Sequence, residues 1–304
     1  MTHAPRVLIT GAAGQVGREL IHSFTGFGEV IAYSRDQLDL ANPDQIRSVI
    51  RDVRPGIILN AAAYTAVDRA ESEPELAQAI NAHAPRILAE EAQRQNALLI
   101  HYSTDYVYDG SKTSSWNEDD APNPLNIYGA SKLAGDQAIV ETGGKYLIFR
   151  TSWVYGPHGR NFLATMLRLG SERDEIRVVD DQYGAPTSSI EIARATRTVA
   201  EKLTDANSLP ENWAGIYNFT CAGAASWHGF ADAIFARSQG LLDKAPPTIT
   251  KINASEYPVP AKRPQNSVLS NAKLDARFGV QLAPWQDALD EVLVKLREQR
   301  KISG

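Results

Sequence analysis

Tyr128 and Lys132 stand four positions apart in the run Tyr128-Gly-Ala-Ser-Lys132, and on a helix that separation places both side chains on one face. An ammonium beside a phenol favours the phenolate and lowers a pKa that is ordinarily about 10. A phenol tuned in this way can give a proton to a developing alkoxide and be reprotonated from solvent. Upstream, Ser103-Thr104-Asp105 follows the apolar run Ala97–Tyr102. The carboxyl ends of parallel strands flank the ligand crevice, so Thr104 is placed to hydrogen-bond the same oxygen as Tyr128. Tyr-x-x-x-Lys by itself is common on ordinary helices. Its weight comes from the strand-end hydroxyl and from a glycine turn near the start of the chain.

That turn is Gly11-Ala-Ala-Gly14-Gln-Val-Gly17, between the apolar run Arg6–Thr10 and a helical segment. Its glycines permit a tight turn, close backbone approach to a pyrophosphate and close packing of helix on strand, with unpaired N–H groups at the helix start facing the phosphates. About 20 residues beyond the glycines, an acid would hydrogen-bond a free ribose and repel a 2′-phosphate. This chain has Ser34-Arg35 there, and Arg35 can pair with a 2′-phosphate or stand as a solvated surface arginine. The expectation leans to NADPH, with NADH left open.

These residues need elements to position them. Arg6–Thr10, Glu29–Tyr33, Gly56–Asn60, Ala97–Tyr102 and Lys145–Arg150 are short runs rich in Val, Ile, Leu and Tyr, suited to strands buried on both faces of a parallel sheet. Pro74–Gln95 and Leu125–Val140 between them carry apolar residues every three or four positions. This alternation predicts right-handed βαβ crossovers and an α/β doubly wound parallel sheet. In the second half a helix over Asn161–Leu169, a strand over Ile176–Asp180, a helix over Ile190–Leu203 and a closing helix over Trp285–Arg300 are expected, with turn-rich text after Cys221. We expect residues 1–155 and 187–220 to form a dinucleotide-binding domain, and 156–186 with 221–304 a smaller substrate lobe.

Hydrophobic residues make up 43% and charged residues 22% of the chain, the balance of an ordinary soluble protein. A net charge of −5 gives no basic footprint for nucleic acid. The one cysteine leaves no internal disulfide, and the start of the chain lacks signal-peptide features, so a cytoplasmic protein is expected. No apolar run reaches the ~18 residues of a membrane span. The six histidines show no metal-ligand spacing.

The glycine turn, the run Asn60-Ala61-Ala62-Ala63-Tyr64-Thr65 and the Thr104–Tyr128–Lys132 set resemble the extended short-chain dehydrogenase/reductase family. The resemblance implies a Rossmann-type fold with a smaller α/β C-terminal lobe, and a catalytic Thr104, Tyr128 and Lys132. It implies cofactor contacts from Gly11, Ala13, Gly14, Gln15, Val16 and Gly17, from Ser34, Arg35, Asp39 and Leu40, from Ala61, Ala62, Ala63 and Tyr64, and from Tyr102, Tyr128 and Lys132. Four stretches are similar to one branch of that family, the reductases of dTDP-bound 4-keto-6-deoxysugars: Ser103–Gly110, Pro124–Lys132, Arg150–Gly156 with Gly159–Phe162, and Asp181–Thr187. The segment Lys262–Leu269 fits as well. This implies reduction of dTDP-4-dehydro-β-L-rhamnose to dTDP-β-L-rhamnose, with substrate contacts from Thr104, Asp105, Tyr128, Trp153, Asn161 and Arg263. Arg160 is a further candidate for the diphosphate.

Some members of the family hold Mg²⁺ at a dimer interface through clustered carboxylates. Gln15 and Ile190 occupy two of those positions here, with Glu191 displaced by one, and Asp287, Asp290 and Glu291 read as a solvated helix face. No metal is therefore expected. The partner implied is a small nucleotide sugar, with no nucleic acid and no membrane, acting on a monomer or homodimer. Two other functions stay open: another nucleotide-sugar epimerase or dehydratase, and a non-catalytic subunit resembling the regulatory subunit of methionine adenosyltransferase. A dehydratase wants a Glu beside the strand-end Thr, and this chain has Asp105-Tyr106.

Overall fold

Six apolar runs assemble into one sheet in a computed structural model that describes residues 5–204 and 212–303. Residues 1–4, 205–211 and 304, which belong to the expected domain segments, lie outside the described residues. In chain order the strands are β1 (Arg6–Thr10), β2 (Glu29–Tyr33), β3 (Ile57–Asn60), β4 (Leu98–Thr104), β5 (Lys145–Thr151), β6 (Val154–Tyr155), β7 (Glu175–Val179), β8 (Tyr183–Gly184), β9 (Thr187–Ser188), β10 (Gly215–Asn218), β11 (Ala225–Ser226) and β12 (Thr248–Ile252). The helices are α1 (Gln15–Ser23), α2 (Pro43–Val53), α3 (Val67–Ala70), α4 (Pro74–Gln78), α5 (Ala84–Arg94), α6 (Ile127–Thr142), α7 (Phe162–Glu172), α8 (Ser189–Thr204), α9 (Trp227–Ala236), α10 (Ala272–Phe278) and α11 (Trp285–Ser303).

The main sheet runs β10-β5-β4-β3-β1-β2, and every pairing in it is parallel. The chain direction across the sheet reverses between β1 and β3, and ligands of open α/β sheets bind at such a switch point, beyond the carboxyl ends of the strands. Leu20 of α1 and Phe24 just past its end pack with Ile192 and Val199 of α8 on one face of the sheet. Ile46 and Ile50 of α2, Ile87 and Leu88 of α5 and Ile139 of α6 cover the other. Parallel strands need both faces covered, and this is the Rossmann-like arrangement.

A second apolar cluster gathers Leu163 and Met166 of α7, Ile176 and Val178 of β7, Phe230 and Ile234 of α9 and Leu289 and Val292 of α11. The boundaries shift where local chemistry and tertiary pairing pull apart. β4 continues through Ser103 and Thr104 because they pair in register with Arg150 and Thr151. The single helix expected over Pro74–Gln95 is interrupted by a π-helical turn, Ala79–His83. Pro85 has no N–H and its ring crowds the carbonyl four residues back, that of Asn81. α9, β12 and α10 fall where only turns stood out in the sequence. α9 is apolar on most of its surface, so it shows no helical period. Among the described residues, no helix is long and apolar enough to cross a membrane.

Candidate active site

The glycine turn leaves β1 with Gly11 at φ +71, and a Cβ there would lie 2.8 Å from the Ala62 nitrogen. A Cβ on Gly17 would stand 2.1 Å from the Gly11 carbonyl oxygen. Gly14 caps α1 with no side chain over the helix end. The first N–H groups of α1 thus face an open cradle, which fits the pyrophosphate of a dinucleotide. Ala13 and Gly14 are exposed there, Gln15 and Val16 partly so. Ala61, Ala62 and Ala63 follow β3 beside the turn, and the Tyr64 N–H is held by Asn81 Oδ1 at 2.9 Å. The π-helical turn is what aims Asn81 at this loop. At the end of β2 the Ser34 hydroxyl donates to Gln37 Oε1 at 3.1 Å, while Arg35 is exposed and unpaired. Leu40 is buried, and the Asp39 carboxylate accepts from the Ala41 N–H at 3.0 Å.

Across the switch point, α6 begins at an Asn126 cap whose Oδ1 accepts from the Gly129 N–H at 2.8 Å. A Cβ on Gly129 would lie 2.2 Å from the Tyr106 carbonyl oxygen, so only glycine lets α6 come this close to the turn after β4. Tyr128 and Thr104 are brought together by that approach. Burial pushes the Tyr128 phenol up to about 12, and the Thr104 side chain beside it opposes that rise. A phenol held there stays protonated at neutral pH, as a proton donor must. The Thr104 hydroxyl also donates to Asp105 Oδ1 at 3.0 Å. Burial raises the Asp105 carboxyl to about 7, opposed by Ser267 and Thr104, and its Oδ2 has no partner.

Lys132 is buried behind this pair. Its ammonium donates to the Tyr102 carbonyl at 2.7 Å and stands 2.9 Å from His101 Nε2. Burial pushes it down to about 8, and Asp136 opposes that fall. The hydrogen bonds of Lys132 therefore go to β4, not to the Tyr128 phenol, and the lowering of that phenol expected from the four-residue spacing is not found, because burial raises it instead. Asp136 accepts from Arg150 Nε at 3.2 Å, and Arg150 Nη1 donates to the Tyr108 hydroxyl at 2.8 Å. The Tyr102 hydroxyl pairs with Thr196 at 2.9 Å, on the α8 side of the sheet.

The expected substrate residues divide. Trp153, at φ +46, stacks on Trp227 with ring centroids 3.5 Å apart, beside Gly184. Arg263 reaches Asp68 at 3.2 Å and leaves its Nε buried without a partner, a donor in want of an acceptor. Asn161 is occupied elsewhere: its Oδ1 caps α7, and its amide donates to Gln15 Oε1 at 2.9 Å and to the Gly156 carbonyl at 3.0 Å. It ties the glycine turn to the second cluster. Arg160 is exposed and unpaired. Reading the sequence missed His101 and Asp136, and gave Asn60 and Arg150 no part in holding the lysine. Two signals were available, a polar residue inside the apolar run of β4 and an acid four positions beyond Lys132.

A family described as the RmlD substrate binding domain matches residues 5–298. A dTDP-4-dehydrorhamnose reductase of Burkholderia thailandensis is 46% identical over 93% of this chain and 96% of its own length. One from Escherichia coli K12 is 44% identical over 95% of this chain and 97% of its own. The crystal structure of a dTDP-4-dehydrorhamnose reductase from Bacillus anthracis in complex with NADP superposes with a TM-score of 0.87, at 36% identity, over 96% of this chain and 99% of that one. With the parallel sheet, the glycine cradle and the Thr104–Tyr128 pair already in place, these matches over nearly the full length make the chain a member of the RmlD substrate binding domain family.

Proposed function

We propose that the protein is an NADPH-dependent reductase that converts the 4-keto group of dTDP-4-dehydro-β-L-rhamnose to the alcohol of dTDP-β-L-rhamnose. The observation that carries this reading is the close approach of α6, which bears Tyr128 and Lys132, to the turn after Thr104 at the carboxyl end of β4, with the glycine cradle alongside. Residues 1–155 and 187–220 bind the dinucleotide, and 156–186 with 221–304 form the substrate lobe. The N-terminus of α1 and the backbone of Gly11–Gly17 hold the pyrophosphate. The free guanidinium of Arg35 takes the 2′-phosphate.

When bound, the nicotinamide supplies the hydride that reaches the substrate C4. The alkoxide forming there needs a proton, and the Tyr128 phenol, protonated at neutral pH, gives it. Thr104 is the second hydrogen-bond partner of that oxygen. The phenolate left behind sits in the field of the Lys132 ammonium, which offsets its charge until solvent returns the proton. Trp153 offers an apolar ring to the deoxysugar, Asp105 binds its hydroxyls, and the unpartnered Nε of Arg263 suits an oxygen of the diphosphate. The reading places the protein in the cytoplasm, as a monomer or homodimer acting on a small nucleotide sugar.

The test is direct. Purified protein with dTDP-4-dehydrorhamnose should oxidise NADPH and yield the 4-hydroxy sugar, identified by NMR. Protein that binds NADPH but oxidises none with this substrate overturns the reading.

A further inference from the structure

Lys132 is 1% exposed, and its ammonium has three N–H groups to satisfy. One goes to the Tyr102 carbonyl and one faces His101 Nε2, at 2.7 and 2.9 Å. His101 is fully buried in β4, and its other ring nitrogen lies 2.8 Å from the amide of Asn60 at the end of β3. Asn60 is in turn 2.7 Å from the hydroxyl of Thr10 at the end of β1. Strand register puts Thr10 opposite Asn60 and Asn60 opposite His101. A file of side chains thus crosses three adjacent strands, from the glycine turn to the lysine.

No carboxylate holds the ammonium directly. Asp136 gives its Oδ2 to Arg150 and acts on Lys132 through space. Both direct acceptors of Lys132, an imidazole and a carbonyl, are neutral. Neutral acceptors fix an ammonium without cancelling its charge. An ammonium has no lone pair and must donate to Nε2. The ring itself is neutral, since burial and the Lys132 charge hold it well below the usual histidine range. A neutral imidazole has one proton, which must then sit on Nδ1. The Thr10 hydroxyl lies against Asn60 Oδ1 and Asn60 Nδ2 against His101 Nδ1; a proton on Nδ1 requires that amide turned end for end, oxygen to Nδ1 and NH₂ to Thr10, a change that alters no shape because the two ends are nearly isosteric.

We propose that His101 is a positioning residue for the reaction: a neutral imidazole, protonated on Nδ1 and locked in that tautomer by Asn60 and Thr10, whose Nε2 lone pair fixes the Lys132 ammonium and leaves its third N–H for the active-site face. His101 acts through Lys132 and touches no substrate. Its kinetic consequence rests on the reductase reading above, but the tautomer does not.

Two measurements on the full chain test it, with His101→Gln and His101→Leu as variants. Glutamine reaches Lys132 with a carbonyl oxygen, whereas leucine fills the space and accepts nothing. Nitrogen NMR of labelled histidine, with the His101 signals assigned by their loss in the variants, should show a neutral ring carrying its proton on Nδ1. A proton on Nε2, or an imidazolium at neutral pH, overturns the proposal. Turnover with NADPH and dTDP-4-dehydrorhamnose is measured against pH. In His101→Leu, kcat should fall about ten- to a hundred-fold, the scale of one hydrogen bond to a charged group. Losing an acceptor disfavours the ammonium, so the alkaline limb should move down by about one pH unit. That limb belongs to Lys132 in the field of Asp136 on α6, Arg150 on β5, Tyr102 on β4 and Tyr128. His101→Gln should restore both rate and limb. An unchanged leucine variant, or a loss uniform in pH that glutamine does not restore, overturns the proposal. If the wild type oxidises no NADPH, the reductase reading fails, and the tautomer still decides the role of His101.

Discussion

Tyr128, the proposed proton donor, is the residue on which most depends. General acid catalysis is worth roughly 10²–10⁴ in rate, so Tyr128→Phe should lower kcat by that order and leave NADPH affinity, read by fluorescence titration, nearly unchanged. Thr104→Val removes a hydrogen bond and no proton, so its loss should be smaller. A Tyr128→Phe enzyme within threefold of wild type would remove the phenol from the mechanism. Asp105 makes a separate prediction. Burial pushes its carboxyl up to about 7 in the folded protein, against an ordinary 3.8. Between those values the folded protein keeps a proton that the unfolded chain has released. The contribution to stability is therefore full below 3.8, falls as pH rises towards about 7, and is level above that. Asp105→Asn does not titrate, so the wild-type stability in urea, relative to the variant, should decline through that window and then flatten. A relative stability that climbs with pH would contradict the raised carboxyl. The placement of Thr104 at a strand end and of Tyr128 and Lys132 on one helix was legible in the sequence, because apolar runs and a four-residue spacing set it locally. His101 and Asp136 were not, because a histidine in an apolar run reads as core and an acid on a helix reads as solvated until strand register supplies their partners.

Among the elements, the glycine turn was legible for the same reason: its constraint is local and steric. The structure adds how tight it is. The position a Cβ would take on Gly17 is 2.1 Å from the Gly11 carbonyl oxygen, and Gly11 is itself wedged against Ala61 and Ala62. Neither side can retreat without moving β1 or the loop after β3. Gly17→Ala should lower stability by about 1–3 kcal/mol, the scale of overpacking, and weaken NADPH binding at least tenfold. Gly56→Ala is the control, since its Cβ would meet Pro5 at an ordinary 3.5 Å. Equal NADPH affinity in the two variants would show that the turn has room to spare. The break in the helix over Pro74–Gln95 was less legible. Pro85 signals a disturbance but not its form, and the π-helical turn is fixed only when Asn81 bonds the Tyr64 loop and Ser131 of α6. α9 escaped notice because an all-round apolar helix carries no period, and only the cluster that buries it identifies it.

At the scale of the whole molecule, the cofactor half and the C-terminal segments meet along a seam of charges. Glu19 of α1 is buried and lies 3.5 Å from Lys295 of α11 and 3.6 Å from His158. Arg194 of α8 bridges Glu191 and Glu291, and the second oxygen of Glu191 accepts from the Ala283 N–H at 2.8 Å. Gln15 Oε1 is taken by Asn161. Each acid on this seam already has a cation or a donor, and a divalent ion would have to displace an arginine or a lysine to reach it. Among the described residues, no group of three or more His, Cys, Asp or Glu is gathered to ligate a metal. The sequence reading rested on Gln15 and Ile190 and gave no sign that Arg194 stands between Glu191 and Glu291. Glu19 and Glu191 are buried, so each needs its partner; what these pairs do here is neutralise the carboxylates that a metal would need. Protein dialysed against EDTA should therefore keep its NADPH-dependent activity and its sedimentation coefficient, and added Mg²⁺ should change neither. Activity lost to EDTA and recovered with Mg²⁺, but not with an equal ionic strength of KCl, would mean that the Arg194 bridge opens to admit the ion.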